Sequence, residues 1–330
     1  MKWPLMMIIA GMLFLTVHGG GNSLTGVSRL EQTVAHSAPN RAFVPAANSQ
    51  YEDHVAHWIQ QIAKQAGFEA WQDATWTSDS LGAGMHSWLV EVKAESDGQA
   101  VGYLIVGADQ AGDYRLLEYG LGPYTLFDTR LTQPYANAHG FDGKQGVWTR
   151  LYMRPLEALW MVELVEMVET EDTATKRKRT GLFDAYSGEY YDVSEEKLAG
   201  MLNGGESAGI PGMEATVEAA LISREMKILR GSNQTCSDPF DHTPWVAEQP
   251  IQETEAGELE TWLTKQPLTY TQRIVQDHIL LVATVCGIHV WQDAHDTEAP
   301  EIRYWAVDHG GMRYVPARAL QEKGSFYPSS

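Results

Sequence analysis

Apolar positions between Gln50 and Gly67 recur at helical spacing. Val55, Trp58, Ile59, Ile62 and Ala66 share one face, and Gly67 supplies the stop, so the pattern predicts a helix. The period then changes to two. Phe68 to Trp76 is the first predicted strand, and His86 to Ala94 alternates clearly. Asp97-Gly98 is a turn signal, Ala100 to Gly107 returns as a strand, and Tyr114 to Tyr119 follows a turn at Asp109 to Gly112. This is an antiparallel meander behind a helix.

Gly120 to Gly146 reads as a long loop-rich stretch, and Val147 to Met153 as a short strand. Leu156 to Glu169 has the length of a helix, but its charges argue for a hairpin. Glu163, Glu166, Glu169, Glu171 and Asp172 precede a turn, and Lys176, Arg177, Lys178 and Arg179 follow it. Folding the arms together sets opposite charges side by side, worth a few tenths of a kcal/mol per pair. Read alone, the basic run is a solvated patch. A second turn at Ser187-Gly188 divides Phe183 to Tyr191.

Residues 200–213 hold five glycines and form a hinge-like break. Glu214 to Leu229 predicts a helix, and Glu258 to Thr264 a shorter one, with a polar, proline-bearing stretch between them. An apolar segment spans Gln272 to Gly287. Strands are expected at His289 to Gln292, Ile302 to Val307 and Met312 to Pro316, the last two joined by a turn at Asp308 to Gly311. An echo links Gly67–Ala74 (GFEAWQDA) to Gly287–Ala294 (GIHVWQDA). Two similar helix-then-sheet units would account for it, and so would coincidence.

The amino terminus has a different texture. Lys2 precedes an apolar run from Trp3 to Val17, then His18 and three glycines. A basic tip, a short apolar run and small residues make an export signal. The run is shorter than the roughly 20 residues of a bilayer span. Val17-His18-Gly19 is a weak cleavage site, so residues 1–21 are read as a signal peptide or a retained membrane anchor. Residues 22–49 read as a linker. The folded part divides into 50–198, a helix plus antiparallel sheet, and 212–330, a second α+β domain. The expected fold class is α+β: antiparallel sheets with helices on one face, in two domains.

The chain carries a formal charge of −19 with 44% hydrophobic residues. That field repels nucleic acid and argues against it as a partner. Its ordinary role is solubility, and weak divalent-cation binding is the sharper alternative. Two cysteines, Cys236 and Cys286, are able to pair after export. Cys286 also reads as a small buried hydrophobe within an apolar run.

Candidate chemistry is sparse. Asp53, His54 and His57 open the first helix, with the histidines three apart, which suits a metal only if a third ligand exists. His289, Asp293, His295, Asp296, Asp308 and His309 lie among the C-terminal strands. Gln234 lies two residues before Cys236, and Gly287-Ile-His289-Val resembles the histidine strand of papain-like and bacteriocin-processing peptidases. The order Cys236, His289, then Asp293 or Asp308 suits such a triad. The nucleophile of those enzymes opens a helix whose N-terminus lowers the thiol pKa. Pro239 and Pro244 prevent that helix after Cys236. No zincin, P-loop or dinucleotide motif occurs. No cofactor or metal is expected.

Two stretches resemble known modules. Trp88 to Phe127 resembles the sheet domain of exported Gram-positive proteins in which a strand pair ends in Gly-Tyr-x-Ile-Val, and helix-plus-sheet units that serve as pro-regions of secreted cysteine peptidases. Leu156 to Val193 is similar to the PepSY-like hairpin, whose Asp-Ala-x-x-Gly-Glu turn is here Asp184 to Glu189. Together they span about a quarter of the chain. The layout resembles secreted or membrane-anchored proteins of spore-forming Gram-positive bacteria. The resemblance implies a non-catalytic module of inhibitory or chaperone-like type, and it carries over no catalytic residue. The expectation is therefore a non-enzymatic extracytoplasmic module that engages an envelope or secreted protein or peptide through an exposed sheet edge. It would meet membrane only through residues 3–17. The alternative is an extracytoplasmic cysteine hydrolase using Cys236 and His289.

Overall fold

The structure is a computed structural model, and it describes residues 49–82, 86–109, 111–141, 146–169, 174–194, 196–198, 222–223, 226–252 and 256–329. The expected signal or anchor at 1–21, nearly all of the expected linker and the glycine-rich 200–213 break lie outside these residues. No helix among the described residues is long and apolar enough to cross a membrane.

The first helix, α1 (Ser49–Ile62), forms where the helical period places it but ends before the expected stop at Gly67, leaving Ala66 exposed outside it. Its buried stripe is Tyr51, Val55, Trp58, Ile59 and Ile62. The meander follows as β1 (Thr75–Ser80), β2 (Ser87–Lys93), β3 (Ala100–Ala108) and β4 (Tyr114–Leu121), each antiparallel to the next. The first strand starts later than its sequence pattern suggests. Phe68 and Trp71 lie three apart, so a 3-10 turn at Glu69–Trp71 buries both rings, and the Trp71 indole donates to the Val101 carbonyl at 3.1 Å.

The stretch read as loop contains a helix, α2 (Thr129–Ala138). Its N-cap Asp128 accepts from the Arg130 amide, and Pro134 within it hid the signal. Then come β5 (Val147–Arg154), β6 (Glu157–Glu169), β7 (Ala174–Asp184) and β8 (Tyr190–Tyr191), a four-stranded antiparallel sheet. The β6–β7 hairpin is the one the charges predict. Arg179 pairs with Glu166 at 2.8 Å, and Lys178 pairs with Glu163.

The predicted helix over 214–229 is corrected. Residues 214–221 lie outside the described ones, and 226–233 form a strand, β9 (Met226–Asn233). A partner strand decides this: β11 (Ile279–Asp293) is fifteen residues long, and β10 (Leu268–Ile274) covers only part of it. The rest pairs with β9, from Gly287↔Asn233 to Asp293↔Met226. Tertiary pairing overrides helix propensity here. A one-turn helix, α3 (Pro244–Ala247), and α4 (Ala256–Leu263) lie between β9 and β10. β12 (Ile302–Asp308), β13 (Met312–Pro316), α5 (Ala317–Gln321) and β14 (Gly324–Pro328) complete the chain.

Ten strands make one sheet, in the order β1-β2-β3-β4-β13-β12-β11-β10-β14, with β9 also on β11. The expected boundary between 198 and 212 therefore does not separate two sheets. β4 and β13 join the halves through two pairs, Arg313↔Gly120 and Tyr314↔Tyr119. Nor do helices alone cover each half. α1 packs on one face of β2–β4, against Val90, Val92, Leu104, Val106 and Leu116. On the opposite face, Leu89, Tyr103, Ile105 and Leu117 meet Trp160, Val162 and Phe183 of the four-stranded sheet. The sequence echo is not a structural repeat: one copy forms the 3-10 turn, and the other lies within β11.

Candidate functional site

The residues of the hydrolase reading sit in three different settings. Cys236 and Cys286 form a disulfide, with Cα atoms 5.3 Å apart, so neither offers a thiolate. The bond ties the loop after β9 to β11, where Gln234 N donates to Cys286 O and Thr284 Oγ1 donates to Ser237 O. His289 is buried in an aromatic stack. Its ring lies 4.3 Å from that of Tyr314, and its Nδ1 is 2.7 Å from the Tyr119 hydroxyl. Burial pushes the His289 pKa down to about 3, so the ring is neutral near pH 7. Asp293 accepts from the amides of His295 and Asp296, which lower its pKa and make it the keystone of a surface turn. No nucleophile–base pair results.

The histidines of α1 also diverge. His54 Nδ1 is 2.6 Å from the Gln50 carbonyl, and its ring packs on Trp58 and Tyr114. His57 Nε2 reaches the Met226 carbonyl at 3.0 Å. Among the described residues, no three His, Cys, Asp or Glu side chains converge as a metal site.

Sequence reasoning missed a buried polar joint between the sheets. Glu118 of β4 and Arg313 of β13 form an ion pair at 2.8 Å with both side chains fully buried. The Glu118 carboxylate also accepts from the hydroxyls of Tyr103 at 2.6 Å and Tyr152 at 3.2 Å. Burial, then the Glu118 charge, holds both phenols far above their ordinary pKa. Desolvation pulls the Arg313 guanidinium down, but Glu118 outweighs it and keeps the cation. The signal was an acid inside an apolar strand, which is seldom buried unless it is paired. Next to the joint, Asp184 builds the Asp184–Glu189 turn. Its Oδ1 accepts from the amides of Tyr186 and Ser187, and the Tyr191 hydroxyl donates to Oδ2. Gly188 takes φ +77° there, and a Cβ would lie 2.7 Å from the Leu131 carbonyl oxygen.

Beside this turn lies a groove of about 690 Å³. Three elements frame it: the turn with Glu189 and Tyr191, the β12–β13 turn with Asp308, His309 and Gly310, and the loop from Cys236 to Trp245 across from Leu280 to Thr284. The loop contributes Phe240, 62% exposed, and Trp245, whose rings meet edge to face at 5.5 Å. Leu280 adds a 43% exposed aliphatic side chain. The His309 Nδ1 is buried without a hydrogen-bond partner. Burial, joined by the Arg313 charge, lowers the pKa of this histidine, while Asp184, Glu189 and Asp308 act in the opposite sense, so charges of both signs lie within electrostatic reach of one ring. The sequence signal for the groove was the pair of aromatics, Phe240 and Trp245, in a polar, proline-bearing stretch with no apolar period to bury them.

Against known proteins the comparison is empty: no family model, no curated protein and no solved structure matches this chain.

Proposed function

We propose that this chain is a non-enzymatic binding module that acts outside the cytoplasm and engages a protein or peptide partner. The groove beside the disulfide carries the reading. It presents exposed aromatic and aliphatic side chains within a concave, partly polar wall, the composition from which protein partners draw binding energy. The sheet edges are weaker candidates. β1 has six residues and exposes Thr75, Thr77 and Asp79, and β14 has five and ends in Pro328, features that discourage strand addition.

Placement outside the cytoplasm is supported by the apolar run at 3–17 and by the disulfide, a bond that persists in oxidising compartments. The Asp184–Glu189 turn lends support to a PepSY-like character. Its acid is spent on backbone amides, a scaffolding role that fits a module rather than a catalyst.

Panning a displayed random-peptide library on the full-length, disulfide-bonded protein tests the reading. Enriched peptides are expected to lose at least about tenfold in affinity on the Phe240→Ala/Trp245→Ala double variant, since such anchors are each worth 1 kcal/mol or more. No enrichment over an empty support, or cleavage of the recovered peptides, counts against it.

A further inference from the structure

We infer that the groove selects a peptide segment bearing lysine or arginine, seated with its cationic side chain against Glu189 and Asp308 and its apolar neighbours against Phe240 and Trp245. This rests on the binding-module reading and names the chemistry of its partner.

Charge is the first argument. Glu189, Asp238 and Asp308 line the groove, and no lysine or arginine does. None of the three carboxylates is in an ion pair within the described residues. Asp238 is partly engaged, since its Oδ1 caps the Phe240 amide. Glu189 is exposed and Asp308 half-buried. The Arg313 charge also reaches His309, but its guanidinium is paired with Glu118 in the joint behind. An acidic wall without its own counter-ion attracts cations, and the whole-chain charge of −19 reinforces that field during approach.

Geometry is the second. Glu189 and Asp308 belong to turns from different sheets, and both line the same groove with His309. The aromatic pair Phe240–Trp245 belongs to the wall held by the disulfide. An aliphatic stem ending in a charge suits such an arrangement: the methylenes lie along the rings while the head reaches the carboxylates. A simple metal ion fits less well, since the carboxylates do not assemble as ligands.

The test uses labelled peptides alternating lysine, glutamine or glutamate with leucine, titrated by fluorescence anisotropy against the full-length protein. The lysine peptide is expected to bind about tenfold tighter than the glutamine peptide, with the glutamate peptide weakest. Glu189→Gln and Asp308→Asn should each weaken the lysine peptide about two- to fivefold, the range of an exposed ion pair, and leave the glutamine peptide unchanged. Raising salt from about 50 to about 500 mM should narrow the lysine preference. Equal binding of all three peptides, abolished by the Phe240→Ala/Trp245→Ala variant, would overturn the charge selectivity and leave the binding reading standing. No binding by any of the three, together with a failed panning, would remove both.

Discussion

At the scale of single residues, the chain spends its candidate chemistry on structure. His289 looked like a catalytic base by neighbourhood, with a glycine before it and acids after it. What decides its role is which side chains surround it once β4, β13, β12 and β11 are ordered in one sheet: Tyr119, Tyr314 and Phe68, none charged. One member of that neighbourhood, Tyr119, lies 170 positions away in sequence, and no local pattern carries it. A pH dependence follows. The unfolded chain binds a proton on this histidine near pH 6.5, while the native ring resists protonation down to about 3. Below pH 6.5 the unfolded state therefore holds more protons, and stability falls as pH drops. One such histidine removes about 2 kcal/mol between pH 7 and 5. Urea unfolding at the two pH values should show this loss, and His289→Gln, which keeps an acceptor for the Tyr119 hydroxyl, should shrink it by about that amount. His309, also lowered by burial, leaves a residual slope. A variant as pH-sensitive as the native protein would refute the assignment.

At the scale of elements, legibility tracks locality. The α1 stripe, the β2–β3–β4 meander and the β6–β7 hairpin were readable because their periods, turn residues and charge pairs are short-range. The strand at 226–233 was not, because its conformation depends on the uncovered end of β11. Nor was the β10–β11 hairpin. Its turn contains no glycine, yet Val275, Gln276 and Asp277 all adopt left-handed backbone, with φ of +53°, +52° and +65°. A buried acid compensates at one of them: Glu157 Oε1 accepts the Val275 amide at 2.8 Å. The left-handed conformation costs an L-residue about 1–2 kcal/mol, and glycine escapes most of this at the expense of a more entropic unfolded chain. Gln276 is exposed and makes no packing contribution, so Gln276→Gly should raise stability by about 0.5–1 kcal/mol, read as a higher urea midpoint. Val275→Gly relieves similar strain but gives up a fully buried side chain worth about 1.5–3 kcal/mol, and should lower it. The opposite signs separate backbone strain from packing.

At the scale of the molecule, one cross-link holds together what the sequence suggested were separate parts, and a second acts within the C-terminal part. The Glu118–Arg313 joint fastens β4 to β13 where only two residue pairs connect them. The disulfide fastens the groove wall to the core of the sheet. It closes a separation of 50 residues, for which the chain-entropy model gives about 4 kcal/mol. Set against the usual 5–15 kcal/mol of total stability, that is a large share. Reduction should therefore lower the melting temperature by roughly 10 °C, and Cys236→Ser/Cys286→Ser should reproduce the shift without reductant. The two effects should not add. The groove adds a functional consequence. Residues 237–245 lose their covalent tie when the bond opens, so Phe240 and Trp245 are no longer pre-positioned, and ordering them on binding becomes a cost to affinity. Below its melting transition, the reduced protein should then bind its peptide more weakly while keeping the circular dichroism of the intact sheet. Unchanged affinity after reduction would mean that the wall is held by its backbone contacts, Gln234 to Cys286 and Thr284 to Ser237, and that the disulfide serves stability alone.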